Sequence, residues 1–476
     1  MTRQPAPVRP PVGLTIATSD SGGGAGIQAD LKTMEACGVF GTSVLCATTA
    51  QNTCGVESVH VLPTTEIGAQ LGSVLADFDV GAAKTGMLAT AEVVAFVAER
   101  ARRFPFPLVV DPVMVATSGD RLLEPEGEDA YEELIAEATV VTPNADEATV
   151  LTGIEIEGED SAVAAGEALC DVGADAALVK GGHVGGEQVT DVLVTEEGTT
   201  TITHPRVDTD ATHGSGCTLA SAIAASLARG ERLDEAVTAG VDLLSRAIRY
   251  PLDVGEGPGS VHHLAALRER TARPGSAAAT EEIAEALSAR EASAALPDPV
   301  TVAGATPYAE HASEITVVEG IGTVGAAHDP TGTEPAFAAG PDAETDKNAV
   351  GAGKRPNSAD ADADATGSAV DRTAEFLLAA RDRAPELRFV LGCRLDVGIE
   401  RALDTLDGPV VETESWLGDD PTGNSAGTSE TPVAAVERSD RDRGAGETGW
   451  IVATDPAVLV ERTIEVSEAL EATERD

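Results

Sequence analysis

Short apolar runs alternate, over roughly the first 268 residues, with segments whose apolar positions recur every three or four residues. Leu14 to Thr18, Val44 to Ala50, Val80 to Leu88, Leu108 to Val110, Ala138 to Thr142 and Ala176 to Val179 are short, apolar and bounded by Gly, Pro, Asp or Asn. That is the signature of strands buried on both faces. Between them, Ile27, Leu31 and Met34 share one helical face, as do Leu219, Ile223 and Leu227. Ser161 to Val172 reads as a further helix, and so does Asp234 to Ile248 with Ala236, Val237, Leu243, Leu244, Ala247 and Ile248 on one side. Strands separated by helices predict parallel βαβ units joined by right-handed crossovers, hence an α/β fold with a mostly parallel sheet between helical layers. Polar residues gather just after the strands, where a ligand site of such a sheet belongs.

Two glycine-rich turns stand out against this pattern. Gly214-Ser215-Gly216 directly precedes the helix of Leu219 and Ile223. A turn without bulky side chains that opens a helix turns several N–H groups outward at the positive end of the helix dipole, which suits an anion. Earlier, Leu14 to Thr18 runs into Ser19-Asp20-Ser21-Gly22-Gly23-Gly24-Ala25-Gly26 and then a helix. A strand, a glycine-rich loop and a helix are the ingredients of a small-molecule or nucleotide site. The loop is neither GxGxxG nor a phosphate loop with GK[ST], which excludes a dinucleotide dehydrogenase and a P-loop enzyme. Asp111 follows the Leu108 to Val110 run and reads equally as a ligand-binding acid or a turn cap.

Near residue 268 the composition shifts. Ala278 to Ala295 reads as a connecting helix, and a weaker α/β pattern begins around Tyr308. Leu377-Leu378, Leu387 to Leu395, Ile399 to Leu406, Val410-Val411, Trp450 to Ala453 and Val458 to Leu470 supply a small core. Asp329 to Ala369 and Gly418 to Gly449 are so poor in apolar residues that both read as disordered acidic insertions. The expected layout is a leader over 1–11, a first domain over 12–268, a linker over 269–300 and a smaller α/β domain over 301–476.

Composition narrows the setting. The 476 residues carry a formal charge of -48, with acids spread along the chain and lysine only at Lys32, Lys84, Lys180, Lys347 and Lys354. A dispersed acidic surface suits a salt-rich, halophilic cytoplasm, where screening shortens repulsion. Nucleic acid is not expected as a partner, since no basic stripe exists to meet phosphates. The six cysteines show no metal-ligand spacing and read as reduced thiols. No apolar run approaches the ~18 residues that span a bilayer, so the protein is expected to be cytoplasmic, without a membrane partner.

The motifs SDSGGGAGIQADLKT, TAQNTCGV, KTGML, DPVM, TPNADEA, VKGGH, DATHGSGCTLASAIAASLARG and the closing GSVHH occur in one order over roughly residues 12 to 265. In that order they closely resemble the hydroxymethylpyrimidine (phosphomethylpyrimidine) kinases of thiamine biosynthesis, members of the ribokinase-like superfamily. The resemblance implies ATP-dependent phosphorylation of 4-amino-5-hydroxymethyl-2-methylpyrimidine and then of its monophosphate, with ATP and magnesium as cofactors and no dedicated protein cage for the metal. It gives Cys217 the role of base toward the substrate hydroxyl, at a helix start where a thiolate is favoured. Gly214, Ser215 and Gly216 become donors to the transferring group, and Lys180 its cationic contact. Asn144 and Glu147 match an N-x-x-E pattern that helps place magnesium, commonly through water, with Asp111 assisting. Gln51 matches the pyrimidine contact, its amide able to donate and accept at once; Asp30 and Met87 belong to the same pocket. An alternative substrate is a vitamin B6 pyridine alcohol, as for a pyridoxine or pyridoxal kinase. A homo-oligomer is expected.

The second half resembles the thiamine-phosphate synthase domain fused to such kinases in archaea, which would condense the pyrimidine diphosphate with thiazole phosphate. His328, Arg372 and Arg394 are its site candidates. The family's Ser-Ser-His-Val-Ala-Arg stretch is split here by the low-complexity segment, and its cationic loop near residues 418 to 450 has no counterpart. The alternative is a catalytically degenerate binding or sensing module.

Overall fold

The computed structural model describes residues 8–114, 126–182, 184–290, 292–321, 369–418, 431–438 and 447–474. The chain divides into two compact units, Met1–Arg268 and Glu269–Asp476.

In the first unit the chain runs β1 (Val12–Ser19), α1 (Gly26–Ala36), β2 (Phe40–Asn52), β3 (Gly55–Val61), α2 (Thr64–Asp77), β4 (Val80–Thr85), α3 (Ala91–Ala101), β5 (Leu108–Val110), α4 (Glu126–Ile135), β6 (Val140–Val141), α5 (Ala145–Thr152), α6 (Glu159–Val172), β7 (Ala176–Val179), β8 (Gln188–Thr195), β9 (Gly198–Pro205), α7 (Ser215–Ala228) and α8 (Leu233–Arg249). The described strands form one sheet in the order β3-β2-β1-β4-β5-β6-β7-β8-β9. From β2 to β7 neighbours are parallel, while β3, β8 and β9 pair antiparallel at the two edges.

Alternation along the strands builds a core on each side of this sheet. Ala83, Val110, Val141 and Ala177 pack toward α2, α3, α4 and α6. Their immediate neighbours Ala82, Val109, Val140 and Ala176 pack toward α1, α7 and α8. Burial of each large member, such as Leu14 or Ile223, contributes about 1.5–3 kcal/mol. α7 is buried along nearly its whole length, Thr218 through Leu227. Its small residues Ala220, Ser221, Ala224 and Ala225 let it lie close to the sheet. The parallel strands fall where the apolar runs predict them; β3 and β9 do not announce themselves, because most of their residues face solvent, and the mostly buried β8 carries Gln188, Thr190 and Asp191 among its apolar residues, which breaks the continuous buried-strand signal.

The second unit contains α9 (Ala265–Ala289), β10 (Thr301–Gly304), β11 (Thr316–Glu319), α10 (Ala369–Arg383), β12 (Phe389–Arg394), α11 (Val397–Leu403), β13 (Val410–Glu412), α12 (Thr413–Leu417), β14 (Ala434–Glu437), β15 (Thr448–Ala453) and α13 (Pro456–Glu474), α9 starting just before its boundary. Its sheet has the order β11-β10-β12-β15-β14-β13. One face packs on α9, α11 and α13 through Ile283, Leu287, Ile399, Leu403, Leu459 and Val466. The other packs on α10, where Phe376 stacks on Trp450 with ring centroids 4.4 Å apart.

Two expectations are corrected here. Residues 269–300 are no linker: Ile283, Ala284, Leu287, Ala292 and Leu296 are core residues of the second unit. The 418–449 stretch is not wholly an insertion, because Ala434–Glu437 is a strand paired with β13 and β15. Ala434, Ala435 and Val436 bury too little side chain to register as apolar periodicity, yet they fill the sheet. Most of the other low-complexity stretch, and His328, lie outside the described residues.

Trp450 is 1% exposed and is stacked on Phe376. Trp450→Ala should therefore destabilise the second unit by about 3–5 kcal/mol, measured as a lowered denaturant midpoint followed by circular dichroism.

Candidate active site

The carboxyl ends of the parallel strands open into a cleft of about 700 Å³. β1 delivers Ser19 and Asp20 to it, β2 Gln51, the turn after β4 Gly86 and Met87, β5 Asp111, the turn after β6 Asn144, and β7 Lys180. The first turn of α7, Gly214 to Cys217, lines it as well. Residues scattered over the sequence meet because a parallel sheet brings every strand end to one edge.

The first glycine loop is folded around Asp20. Its Oδ1 accepts from Gly22 N at 2.8 Å, and its Oδ2 from Gly24 N at 3.0 Å and Ala25 N at 2.7 Å. His213 Nε2 lies 3.3 Å from the same Oδ2. Burial alone would raise the Asp20 pKa, but the His213 contact and the backbone donors outweigh it and hold the carboxyl below its ordinary value. His213 also lies 3.4 Å from the Gln51 amide, so one imidazole links the first loop, the end of β2 and the turn before α7.

In that turn Gly214 tolerates no side chain. Gly214 has φ +84°, and a Cβ there would stand 2.0 Å from the Gly24 carbonyl oxygen. α7 has no side-chain cap, which leaves its dipole end facing the cleft. Next to it sits the Lys180–Asp111 ion pair, Nζ to Oδ1 3.2 Å, with Lys180 14% exposed. A Cβ on Gly216 would stand 3.3 Å from Asp111 Oδ2 and 3.5 Å from Lys180 Nζ. A helix N-terminus, a cation and a carboxylate thus converge on one point.

Asn144 and Glu147 form a capping box at the start of α5. Asn144 Oδ1 accepts from Glu147 N at 2.8 Å, and Glu147 Oε2 from Asn144 N at 2.9 Å. Burial pushes Glu147 up to about 7; Lys180 pulls it down, while Asp111 adds to the rise. Lys180 shows the reverse balance: burial pulls it down, but Asp111 and Glu147 hold it above its ordinary value.

The structure corrects two expectations. Asp30 does not line the cleft. It is fully buried, accepting from Thr15 Oγ1 at 2.6 Å, Lys84 Nζ at 3.0 Å and Ser221 Oγ at 2.8 Å. Cys217 does line it, but its thiol is not poised as a thiolate. Burial pushes it up to about 12, more than Lys84 and the Gly26 N–H lower it. Helix position favours the anion, yet desolvation is the larger effect. Gln51 and Met87 are both on the cleft wall.

Sequence reasoning assigned no role to Asp20, His213, Asp191, His204 or Arg206, all of which line the cleft. Asp191 accepts from Gly181 N at 2.8 Å and lies 3.7 Å from His204 Nε2, an interaction that raises the His204 pKa. Arg206 donates to the carbonyls of Gly182, Val184 and Gly186, bracing the loop after Lys180. Asp20 and His213 sit inside the quoted motifs and were legible by position. Asp191 and Arg206 lie on or beyond the unannounced antiparallel strands.

In the second unit, Arg372 and Arg394 meet at a separate cavity of about 90 Å³, lined also by Thr301, Thr373, Glu447 and Trp450. The buried Arg372 Nε and Trp450 Nε1 have no hydrogen-bond partner among the described residues.

The phosphomethylpyrimidine kinase family profile matches residues 20–262. The chain is 50% identical over 258 residues to the hydroxymethylpyrimidine/phosphomethylpyrimidine kinase of Rhizobium meliloti, covering 53% of this chain and 96% of that protein. It is 47% identical over 270 residues to the Streptomyces coelicolor enzyme of the same name, covering 56% and 100%. Among solved structures it resembles an ADP complex of Bacillus subtilis pyridoxal kinase, with TM-score 0.51, 34% identity, and 55% of this chain and 99% of that one covered. Staphylococcus aureus pyridoxal kinase with ADP gives TM-score 0.51 at 32% identity over 54% and 94%. The fold of the first unit is ribokinase-like. Among the described residues no helix is long and apolar enough to cross a membrane.

The buried carboxyl makes a pH prediction. Folded, Glu147 holds its proton to about 7, whereas unfolded it releases it near its ordinary 4.5. Unfolding in that window releases a proton, so this group's contribution to stability falls as pH rises through it. Glu147→Gln keeps the capping box and lacks that loss. The stability of the variant relative to wild type should grow from pH 4.5 to 7 and then level off, read from denaturant unfolding at a series of pH values.

Proposed function

Since the chain belongs to the phosphomethylpyrimidine kinase family, we propose that residues 12–268 transfer the γ-phosphoryl group of ATP to the hydroxymethyl group of 4-amino-5-hydroxymethyl-2-methylpyrimidine, and then phosphorylate the monophosphate. The observation that carries this reading is the convergence, in one cleft, of an uncapped helix N-terminus with Lys180–Asp111 on one side and Gln51 and Met87 on the other. Phosphoryl transfer asks chiefly for positioning and neutralisation of charge. The backbone of Gly214 to Cys217 and the ammonium of Lys180 provide donors for the equatorial oxygens of the transferring group. Gln51 fits an aminopyrimidine edge by donating and accepting at once, and Met87 covers the ring. Cys217 receives the hydroxyl proton. Only the thiolate can take that proton, and burial favours the protonated thiol, so the thiol proton leaves first, to solvent, before the hydroxyl proton passes to the sulfur as the new P–O bond forms.

Magnesium, when bound with ATP, supplies positive charge to the phosphates. Asp111 and Glu147 offer hard oxygens for it, with Glu147 already accepting from the backbone N–H groups of Asn144 and Met114. That engagement fits contact through water better than direct ligation.

The pyridoxal kinases among the structural relatives favour a pyridine alcohol as the second substrate to test. Purified protein in molar salt with ATP and magnesium should convert the pyrimidine alcohol to its diphosphate. Faster turnover of pyridoxine, stopping at a monophosphate, would reverse the assignment. Cys217→Ala should lower kcat by about 10²–10⁴ with an unchanged circular dichroism spectrum, and full activity in that variant would remove Cys217 from the mechanism.

For the second unit we propose a site for a phosphate-bearing ligand at Arg372 and Arg394, supported by their shared cavity and the unpartnered Arg372 Nε. A synthase would displace diphosphate from the pyrimidine methylene carbon by the thiazole nitrogen. Thiazole phosphate added to the same assay should yield thiamine phosphate, and Arg372→Ala should abolish it. Pyrimidine diphosphate accumulating alone, with Arg372-dependent ligand binding retained in calorimetry, would make this unit a binding module instead.

A further inference from the structure

Lys84 is fully buried, and the mechanism above does not use it. Its ammonium meets Asp30 Oδ1 at 3.0 Å, with both side chains 0% exposed. It also lies 2.9 Å from where a Cβ on Gly86 would stand, directly behind a residue of the cleft wall. The same Asp30 Oδ1 accepts from Ser221, one helical turn beyond Cys217 on α7. Asp30 Oδ2 accepts from Thr15 on β1. One buried carboxylate therefore joins β1, α1, β4 and α7 one helical turn beyond Cys217. A buried ion pair is weak reason to expect stability, since burying both charges costs several kcal/mol before their attraction offsets it. Aliphatic residues would have filled this place with less cost, so a functional reason for the cation is worth seeking.

We propose that Lys84 is a positioning residue for phosphoryl transfer: held by Asp30 beneath Gly86, its ammonium supplies the positive charge under Cys217 and ties the first turns of α7 to the sheet. The inference rests on the reading of Cys217 as proton acceptor. The charged groups around the sulfur are Lys84 from β4, Asp30 from α1 and Asp111 from the end of β5, with Lys180 against the neighbouring Gly216. Glu147 lies beside Lys180 and Asp111, and His213 precedes the turn. The N–H of Gly26 reaches the sulfur from α1. Burial is the largest influence and opposes the thiolate; Lys84 is the strongest influence favouring it, while Asp30 and Asp111 act against it. The pair thus acts on Cys217 with opposite signs.

Opposite signs provide the test, because damage to the fold would move both variants the same way. The rate of iodoacetamide alkylation of Cys217, followed by mass spectrometry of the peptide that carries it, is measured between pH 7 and 10 in Lys84→Met, Asp30→Asn and the double variant. Loss of an adjacent opposite charge shifts a titrating group by about one unit or more. Lys84→Met should therefore slow alkylation about three- to tenfold at fixed pH, and Asp30→Asn should quicken it. Should Lys84→Met fail to fold with Asp30 unpaired, the double variant leaves no unpaired charge and should still alkylate more slowly than wild type. The pH profile of kcat should move to higher pH in the same variants that alkylate slowly. Unchanged alkylation in folded Lys84→Met, or the same direction of change in all three, overturns the proposal. Full activity of Cys217→Ala alongside the expected alkylation shifts would instead refute the base assignment and leave the charge under the sulfur established.

Discussion

At Gly214 and Gly24 two stretches of backbone approach so closely that neither can carry a side chain. A Cβ on Gly214 would fall 2.0 Å from the Gly24 carbonyl oxygen, and one on Gly24 would fall 2.7 Å from His213 Cδ2. The first loop belongs to the first crossover of the sheet and the second to the start of α7, so this contact joins chain segments about 190 residues apart. Asp20 stabilises the arrangement by gathering three N–H groups and His213 onto one carboxylate. The uncapped first turn of α7 follows from the same constraint. Its N-cap has to be glycine, and glycine has no side chain with which to satisfy the helix end. The steric condition and the anion-binding property are two consequences of one approach.

Charge is distributed around this point with unusual economy. In a chain of net charge -48, lysine occurs at five positions, and the three among the described residues all lie in or next to the segments that build the cleft. Lys32 donates to the Gly23 carbonyl at 2.6 Å, Lys84 lies beneath Gly86, and Lys180 stands at the first turn of α7. A surface so acidic repels anionic substrates at long range, and salt screens that repulsion within about 10 Å at 0.1 M. At short range the two inner cations, Lys84 and Lys180, reverse its sign, because interactions in a site with little water are stronger than on the surface. Asp111 and Asp30 keep the two innermost cations from being uncompensated when no phosphate is present.

The second unit obeys the same layering, with helices on both faces of its sheet. Its sheet is largely antiparallel, and β13 and β14 provide its parallel pair. Several of its strands are short, and alanines such as Ala434 and Ala435 fill part of its core. The stack of Phe376 on Trp450 compensates on one face. Beside that stack, Arg372 and Arg394 border a space about the size of a small oxyanion. The cationic loop missing from the sequence thus leaves the arginines of the framework as the positive charge of this cavity.

The amino-acid sequence by itself determined the α/β class, the parallel strands, the helix behind the glycine turn and the position of most cleft residues. Each of these follows from short-range periodicity or from motifs read in order. The Asn144 and Glu147 spacing was equally legible as a capping box, since three residues separate the partners whatever the fold. What only the tertiary structure decided depends on burial. β3 and β9 expose most of their residues, β8 interrupts its buried run with polar side chains, and β14 is built from small ones, so periodicity was silent on all four. Asp30 lies in a motif that points toward the cleft, but folding places it beneath the wall, paired with Lys84. Cys217 stands where a helix dipole favours a thiolate, yet the desolvation that raises its pKa comes from packing by distant segments. Dipole and motif are local properties of the chain, whereas solvent exclusion is a property of everything that surrounds the atom.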